Sequence, residues 1–126
     1  METTAAVAAC LVLGALAVFQ VALALGAPLG RFAWGGQHEV LPTRLRIGSL
    51  VSVAIYAAIG AILLARAGVI TLGIGDRAVE IAAWIVTAYF ALGIAMNLAS
   101  RSRPERLVMT PTCVLLAALS AVVALS

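Results

Sequence analysis

Residues 4–25 read TAAVAACLVLGALAVFQVALAL, an unbroken run without a charged side chain. A helix needs about 20 apolar residues to cross the hydrocarbon core of a bilayer, so this run predicts a membrane-spanning helix. A cleaved signal peptide begins with a positively charged segment, whereas this chain begins with Met1 and the acidic Glu2. We therefore expect the first span to be retained.

Three further apolar runs follow, and the composition of the whole chain agrees with four spans. The 126 residues are 64% hydrophobic and 10% charged, with a mean hydropathy of +1.17, whereas soluble domains are about 25% charged. We predict spans at about 4–25, 47–65, 81–99 and 107–126. The sequence thus predicts one transmembrane domain over residues 1–126, an all-α, membrane-embedded four-helix bundle with antiparallel up-down topology. A separate catalytic domain does not fit.

The arginines predict how the chain is oriented in the cell membrane. All eight basic residues are arginine, and six of them lie in the first and third loops, residues 26–46 and 100–106. These six are Arg31, Arg44, Arg46, Arg101, Arg103 and Arg106. Short loops rich in basic residues stay in the cytoplasm, so we expect both of these loops inside and both termini outside. Since topology accounts for the positive charge, we expect no nucleic-acid partner.

Uncharged polar side chains within the spans lie mostly toward the Arg-rich side. Gln20 is in the inner part of the first span, and Asn97 is near the inner end of the third. Ser49, Ser52 and Tyr56 follow at spacings of three and four, which places them on one helix face. Such groups commonly hydrogen-bond between helices; the alternative is a polar cavity open to the cytoplasm. No charged residue lies in the middle of a span, which argues against a proton pump using buried carboxylates.

The first loop, residues 26–46, reads GAPLGRFAWGGQHEVLPTRLR and carries the only histidine, His38, beside Glu39. A metal site needs three or four ligands, so this pair predicts neither a metal nor another cofactor. His38 is most simply a loop residue that hydrogen-bonds to water or to a neighbour. The alternative is that it acts as a general base. Trp34 is expected to lie at the membrane interface. The large apolar side chains predict that the loop is ordered and folds back onto the bundle. They are Leu29, Phe32, Trp34, Val40 and Leu41.

Any site for a small molecule or a lipid headgroup is expected at the cytoplasmic end of the bundle. The polar span residues, His38 and six arginines all meet there, and the arginines favour an anionic group. The candidate contacts are Arg44, Arg46, Asn97, Arg106, His38, Glu39, Ser52 and Gln20.

Two segments, GAPLGRFAWGGQHEVLPTRLRIGS at residues 26–49 and MNLASRSRPERLVMTP at residues 96–111, carry a resemblance. With them, nearly the whole chain resembles a family of small four-span bacterial membrane proteins with no established activity. The resembling positions are Gly26, Ala27, Pro28, Gly30, Gly35, Gly36, Leu41, Pro42, Arg44, Arg46, Asn97, Ser100, Glu105, Arg106 and Pro111. The resemblance implies the fold and gives no reaction and no catalytic residues.

Three functions remain open on the sequence. The favoured one is a non-enzymatic membrane component that binds a partner protein or lipid through its cytoplasmic Arg-rich loops. The alternative is a small transporter or channel, oligomeric because four short helices leave little room for a conduit. A membrane enzyme using His38 and Glu39 ranks third. Membrane lipids are expected partners, as is another membrane protein or a second copy. A water-filled cavity among the inner polar residues favours the second and third functions, and dry packing favours the first.

Overall fold

Four long α-helices make up most of the computed structural model, which describes residues 1–126. They are α1 (Glu2–Ala24), α2 (Thr43–Arg66), α3 (Asp76–Leu98) and α4 (Arg103–Leu125), and there are no strands. Each helix is long enough and apolar enough to cross a membrane. The predicted all-α four-helix fold is confirmed, and four such helices fit a multi-pass membrane protein.

All four helices begin before the predicted spans, because their first turns contain polar residues. α1 starts two residues early, and α2, α3 and α4 start four or five residues before the expected positions 47, 81 and 107. For α3 and α4 the structure shows what favours a helical first turn. Asp76 places a negative charge at the positive end of α3. At α4, the Ser102 Oγ accepts the backbone N–H of Glu105 at 3.4 Å, and Pro104 lies where its missing N–H costs nothing.

The helices pack chiefly within two hairpins, α1 against α2 and α3 against α4, and α1 also contacts α4. The C-terminal ends of α2 and α4 meet, where Arg66 Nη2 donates to the carbonyl of Ala124 at 3.2 Å. A cation at this position also opposes the negative end of the α4 dipole. These contacts fit the expected antiparallel up-down order. We call the end with residues 25–42 and 99–102 the arginine end, and the other the opposite end.

Toward the opposite end the helices bury a cluster of apolar side chains, and an open groove of about 420 Å³ lies beside it between α1 and α2, lined by residues such as Cys10, Gly60 and Leu64. α1 contributes alanines to this cluster, and Ala6 and Ala9 have no exposed surface. Small side chains let neighbouring helices approach closely, which is how membrane helices gain packing contacts. The buried apolar cluster consists of Ala5, Ala6, Ala9, Leu13, Ile59, Leu63, Val86, Phe90, Leu116 and Val123.

The first loop folds back against the bundle, as predicted, but hydrogen bonds and glycine contacts hold it more than apolar burial does. It forms two short 3₁₀ turns, Gly30–Phe32 and Trp34–Gly36. The N–H of Gly30 donates to the carbonyl of Glu39 at 2.9 Å. Of the five apolar side chains expected to be buried, only Leu41 is; Trp34 and Val40 remain 42% and 45% exposed.

Candidate functional site

A partly open cavity of about 270 Å³ lies among the four helices at the arginine end. Pockets for drug-sized ligands span about 300–1,000 Å³, so this cavity suits a small molecule. Its wall is mostly apolar, and every helix and the first loop contribute to it. The lining residues are Leu16, Phe19, Gln20, Phe32, Ala33, Trp34, Ser52, Tyr56, Tyr89, Phe90, Leu92, Gly93, Met96, Asn97, Glu105, Met109, Thr112, Cys113 and Leu116.

Gln20 of α1 lines the cavity and has one unused hydrogen-bond acceptor. Its Nε2 donates to the hydroxyl of Tyr56 at 3.3 Å, which joins α1 to α2. The residue is only 8% exposed, and its Oε1 has no hydrogen-bond partner in the protein. A buried polar atom without a partner costs about 1–3 kcal/mol. A donor entering the cavity relieves that cost.

Asn97 of α3 is also on the wall, but its donors are used within the protein. Its Nδ2 donates to the carbonyl of Gly93 at 2.9 Å and to Cys113 Sγ at 3.2 Å. Gly93 makes room for this arrangement, because a Cβ there would lie 3.2 Å from that sulfur. The polar group therefore ties α3 to α4 at the cavity wall.

Glu105 is the only charged residue on the cavity wall. It is 6% exposed, and its Oε2 accepts the backbone N–H of Gly35 at 3.3 Å. Ser102 and Glu105 have the spacing of a capping box, in which the glutamate side chain reaches back to the first residue's N–H. Here the N–H of Ser102 donates to Ser100 Oγ at 3.1 Å instead. The carboxylate is thus free to turn toward the loop and the cavity.

The first loop covers the cavity through contacts with the start of α4. Phe32, Ala33 and Trp34 line the cavity, and Trp34 Nε1 donates to Ser49 Oγ at 3.3 Å. The hydroxyl of Ser102 donates to the carbonyl of Arg31. These bonds, with that between Gly35 and Glu105, hold residues of the loop over the bundle.

The predicted contact residues separate into two groups in the structure. Gln20, Ser52 and Asn97 lie together on the cavity wall, while the other five do not line it. His38 is half-buried and Glu39 exposed in the loop. Neither side chain makes a hydrogen bond within the protein. The role of all eight residues in binding stays a prediction.

The three predicted arginines also lie off the wall. Arg46 Nε donates to the carbonyl of Leu41 at 2.8 Å, and Arg106 Nη1 donates to the carbonyl of Ser100 at 2.7 Å. Arg44 is exposed. Two of these side chains therefore hold backbone in place, and all three remain outside the cavity.

Glu105 is not among the contact residues predicted from the sequence, although it belongs to one of the two resembling segments. Its position three residues after Ser102, just before an apolar run, was the signal that could have placed it in a helix. No group of three or more His, Cys, Asp or Glu side chains lies together where it could hold a metal. The cavity is mostly apolar with polar groups at one end, an arrangement that suits binding.

Comparison with protein-family models, curated proteins and solved structures finds no match to this chain.

Proposed function

We propose that this chain is a non-enzymatic, multi-pass protein of the cell membrane that binds a lipid or similar small amphiphile at the arginine end. The observation that carries this function is the partly open cavity of about 270 Å³ between the helices. The inner ends of the helices are therefore not dry-packed, but the wall of this cavity is mostly apolar, which suits an amphiphile better than the polar, water-filled cavity that would favour transport or catalysis. The apolar residues of the wall suit a hydrocarbon body. Gln20, Asn97 and Glu105 suit a polar head near the membrane interface.

The arginines support a membrane-surface role for the same end. Six of the eight flank the loops there, and arginines next to a span attract anionic lipid headgroups. Arg31 is exposed, and its guanidinium lies 5.0 Å from the ring centre of Phe32, which lines the cavity. We place this end in the cytoplasm and both termini outside, on the arginine count.

An oligomeric transporter is the second candidate, and the cavity is the observation that favours it. The apolar cluster around Ala6, Ala9, Leu63 and Val123 is buried beyond the cavity, and an open groove between α1 and α2 lies beside it. Transport would have to follow that groove, pass between two copies, or need a rearrangement. Flux of a bound probe into protein-containing liposomes, measured against protein-free liposomes, separates transport from binding.

Binding in the cavity can be tested through Trp34, which lines it. The other tryptophan, Trp84, is 42% exposed and lies off the wall, so Trp84→Phe leaves Trp34 as the only tryptophan. A short-chain brominated alcohol, whose bromine quenches indole on contact, should quench Trp34 saturably. Adding Ser52→Phe to the Trp84→Phe variant places a ring in the cavity, so the quenching of Trp34 should no longer saturate as the probe concentration rises.

Val51→Phe is the matched control, because Val51 is on the same helix turn but 53% exposed away from the wall. It adds the same ring outside the cavity and should keep saturable quenching. Linear quenching in every variant would mean that the probe only partitions into the membrane. Equal saturable quenching in the two phenylalanine variants would place binding elsewhere. Either result would contradict the proposal.

A further inference from the structure

Several hydrogen-bond donors on the cavity wall are already used within the protein. The hydroxyl of Ser52 donates to the carbonyl of Gly48 at 3.0 Å, and the amide of Asn97 is bound as described above. The indole N–H of Trp34 is also bound, to Ser49. Of the side-chain donors on the wall, the two tyrosine hydroxyls and the weak Cys113 thiol lack an acceptor within the protein. Two lining residues carry acceptors that are not fully used: Gln20 Oε1 has no partner in the protein, and the Glu105 carboxylate accepts one N–H.

The Glu105 carboxylate has no cation beside it. The nearest arginines in sequence are occupied elsewhere: Arg106 binds a backbone carbonyl, and Arg103 is exposed. Its one hydrogen bond within the protein comes from the Gly35 N–H. Burying a carboxylate is costly unless it is paired and hydrogen-bonded. A ligand that carries a positive charge supplies the missing partner.

Gln20 and Glu105 line the same cavity, and each is near the arginine end of its own helix. Gln20 is four residues before the end of α1, and Glu105 is two residues after the start of α4. At about 1.5 Å per residue, both lie within roughly 6 Å of the arginine end of their helices. Aromatic rings of Phe32, Trp34 and Tyr56 share the wall and suit a neighbouring cation.

We propose, resting on the function above, that the ligand's polar head is an ammonium group with N–H donors. Glu105 supplies the opposite charge, and Gln20 Oε1 accepts an N–H. The apolar body of the ligand lies among Leu16, Phe90 and Leu116 deeper in the cavity. This preference is opposite to the anion expected from the arginine count, because no arginine lines the cavity.

This chemistry can be tested with the full chain carrying Trp84→Phe in phosphatidylcholine nanodiscs. Four six-carbon probes are compared by the concentration at which each displaces the brominated alcohol and so restores Trp34 fluorescence. Hexylammonium has charge and N–H donors, hexyltrimethylammonium has charge alone, hexanol is neutral, and hexanoate is anionic. Hexylammonium should displace the alcohol at the lowest concentration. Glu105→Gln, which keeps the acceptor for Gly35, should weaken hexylammonium about tenfold or more and leave hexanol unchanged.

Gln20→Leu should weaken hexylammonium and leave hexyltrimethylammonium unchanged, since only the former has an N–H to give. Glu80→Gln removes an exposed charge away from the cavity and should change nothing. Displacement by all four probes at equal concentration, unaffected by Glu105→Gln, would overturn the ammonium proposal while the amphiphile-binding function stands. No saturable quenching by the brominated alcohol at all would overturn both.

The ammonium could belong to an aminolipid or to a free amine, and the nanodisc lipid distinguishes them. Phosphatidylethanolamine has N–H donors, and phosphatidylcholine has none. If replacing half of the phosphatidylcholine by phosphatidylethanolamine raises the hexylammonium concentration needed for displacement, the lipid headgroup occupies the cavity. If that concentration does not change while the preference for hexylammonium holds, the lipid does not compete for the cavity and a free amine is the remaining source.

Discussion

Two adjacent glycines in the first loop have the same backbone conformation and different surroundings. Gly35 has φ +77° and Gly36 has φ +70°, a region that is strained for other residues. A Cβ on Gly35 would meet nothing within 4 Å, whereas one on Gly36 would lie 2.3 Å from the Cβ of Ser102. Gly36 is therefore required for the loop to approach α4, and Gly35 only for the turn.

Gly36→Ala should lower the free energy of unfolding by about 3 kcal/mol, from left-handed strain plus the clash with Ser102. Gly35→Ala is the matched control and should cost only the strain, about 1–2 kcal/mol. Thermal unfolding in detergent measures both, and Trp34 emission reports whether the loop leaves the bundle. Equal losses in the two variants would show that the contact with Ser102 contributes nothing.

At the residue scale, the sequence predicted the cavity's uncharged polar groups but not its charged one. Gln20, Ser52 and Asn97 stood out because a polar residue in an apolar span is conspicuous. Glu105 did not, because it is next to Pro104 and among arginines, a context typical of a loop. Its burial depends on the Gly35 N–H, a contact 70 positions away that no local pattern contains.

The helix α1 changes character along its length. Toward the opposite end it presents alanines to its neighbours, and Ala9 is completely buried. Toward the arginine end it presents Leu16, Phe19 and Gln20 to the cavity. One helix thus combines buried alanines, which stabilise the bundle, with a half that lines the cavity.

Ala9→Leu should destabilise the protein by about 2 kcal/mol, because the buried cluster around Ala9 has no room for three more carbon atoms. Ala15→Leu is the control on the same helix. Ala15 is exposed, so the added atoms meet lipid and the change should stay within about 0.5 kcal/mol. Thermal unfolding in detergent, with both variants in the same lipid mixture, gives the comparison. A tolerated leucine at residue 9 would mean that this cluster is not tightly packed.

At the element scale, the existence of the four helices followed from hydropathy alone, and their starting points did not. A run of apolar residues identifies the part of a helix that lipid can surround. It cannot identify a polar first turn such as that at Asp76, which is set by capping and dipole interactions. The first loop showed the same limit, since its hydrogen bonds and glycine contacts hold it against the bundle while only one of its large apolar side chains, Leu41, is buried.

The two ends of the whole molecule differ in charge as well as in packing. The arginine end has six arginines, the covered cavity and a long structured loop. The opposite end has Arg66 and Arg77 and the packed core. If the asymmetry in basic residues sets the orientation, the cavity faces the cytoplasm.

Cysteine labelling in intact cells tests this orientation. In a background with Cys10→Ala and Cys113→Ala, a membrane-impermeant thiol reagent should label Thr71→Cys and not Gln37→Cys. Both positions are exposed in the structure, so access depends on the side of the membrane. After permeabilisation both should react, which confirms that residue 37 is reachable. Labelling of Gln37→Cys alone in intact cells would reverse the topology.

The loop over the cavity is fixed by residues that are translated much later than the loop itself. Gly35 and Glu105 are 70 positions apart, and Arg31 and Ser102 are 71 apart. A ribosome adding about 5–20 residues per second needs roughly 4–14 s to cover that distance. During that time the first helical hairpin exists with its loop unfastened. The covered cavity forms only when the start of α4 has been made, so ribosome-bound chains that stop before residue 102 should lack it.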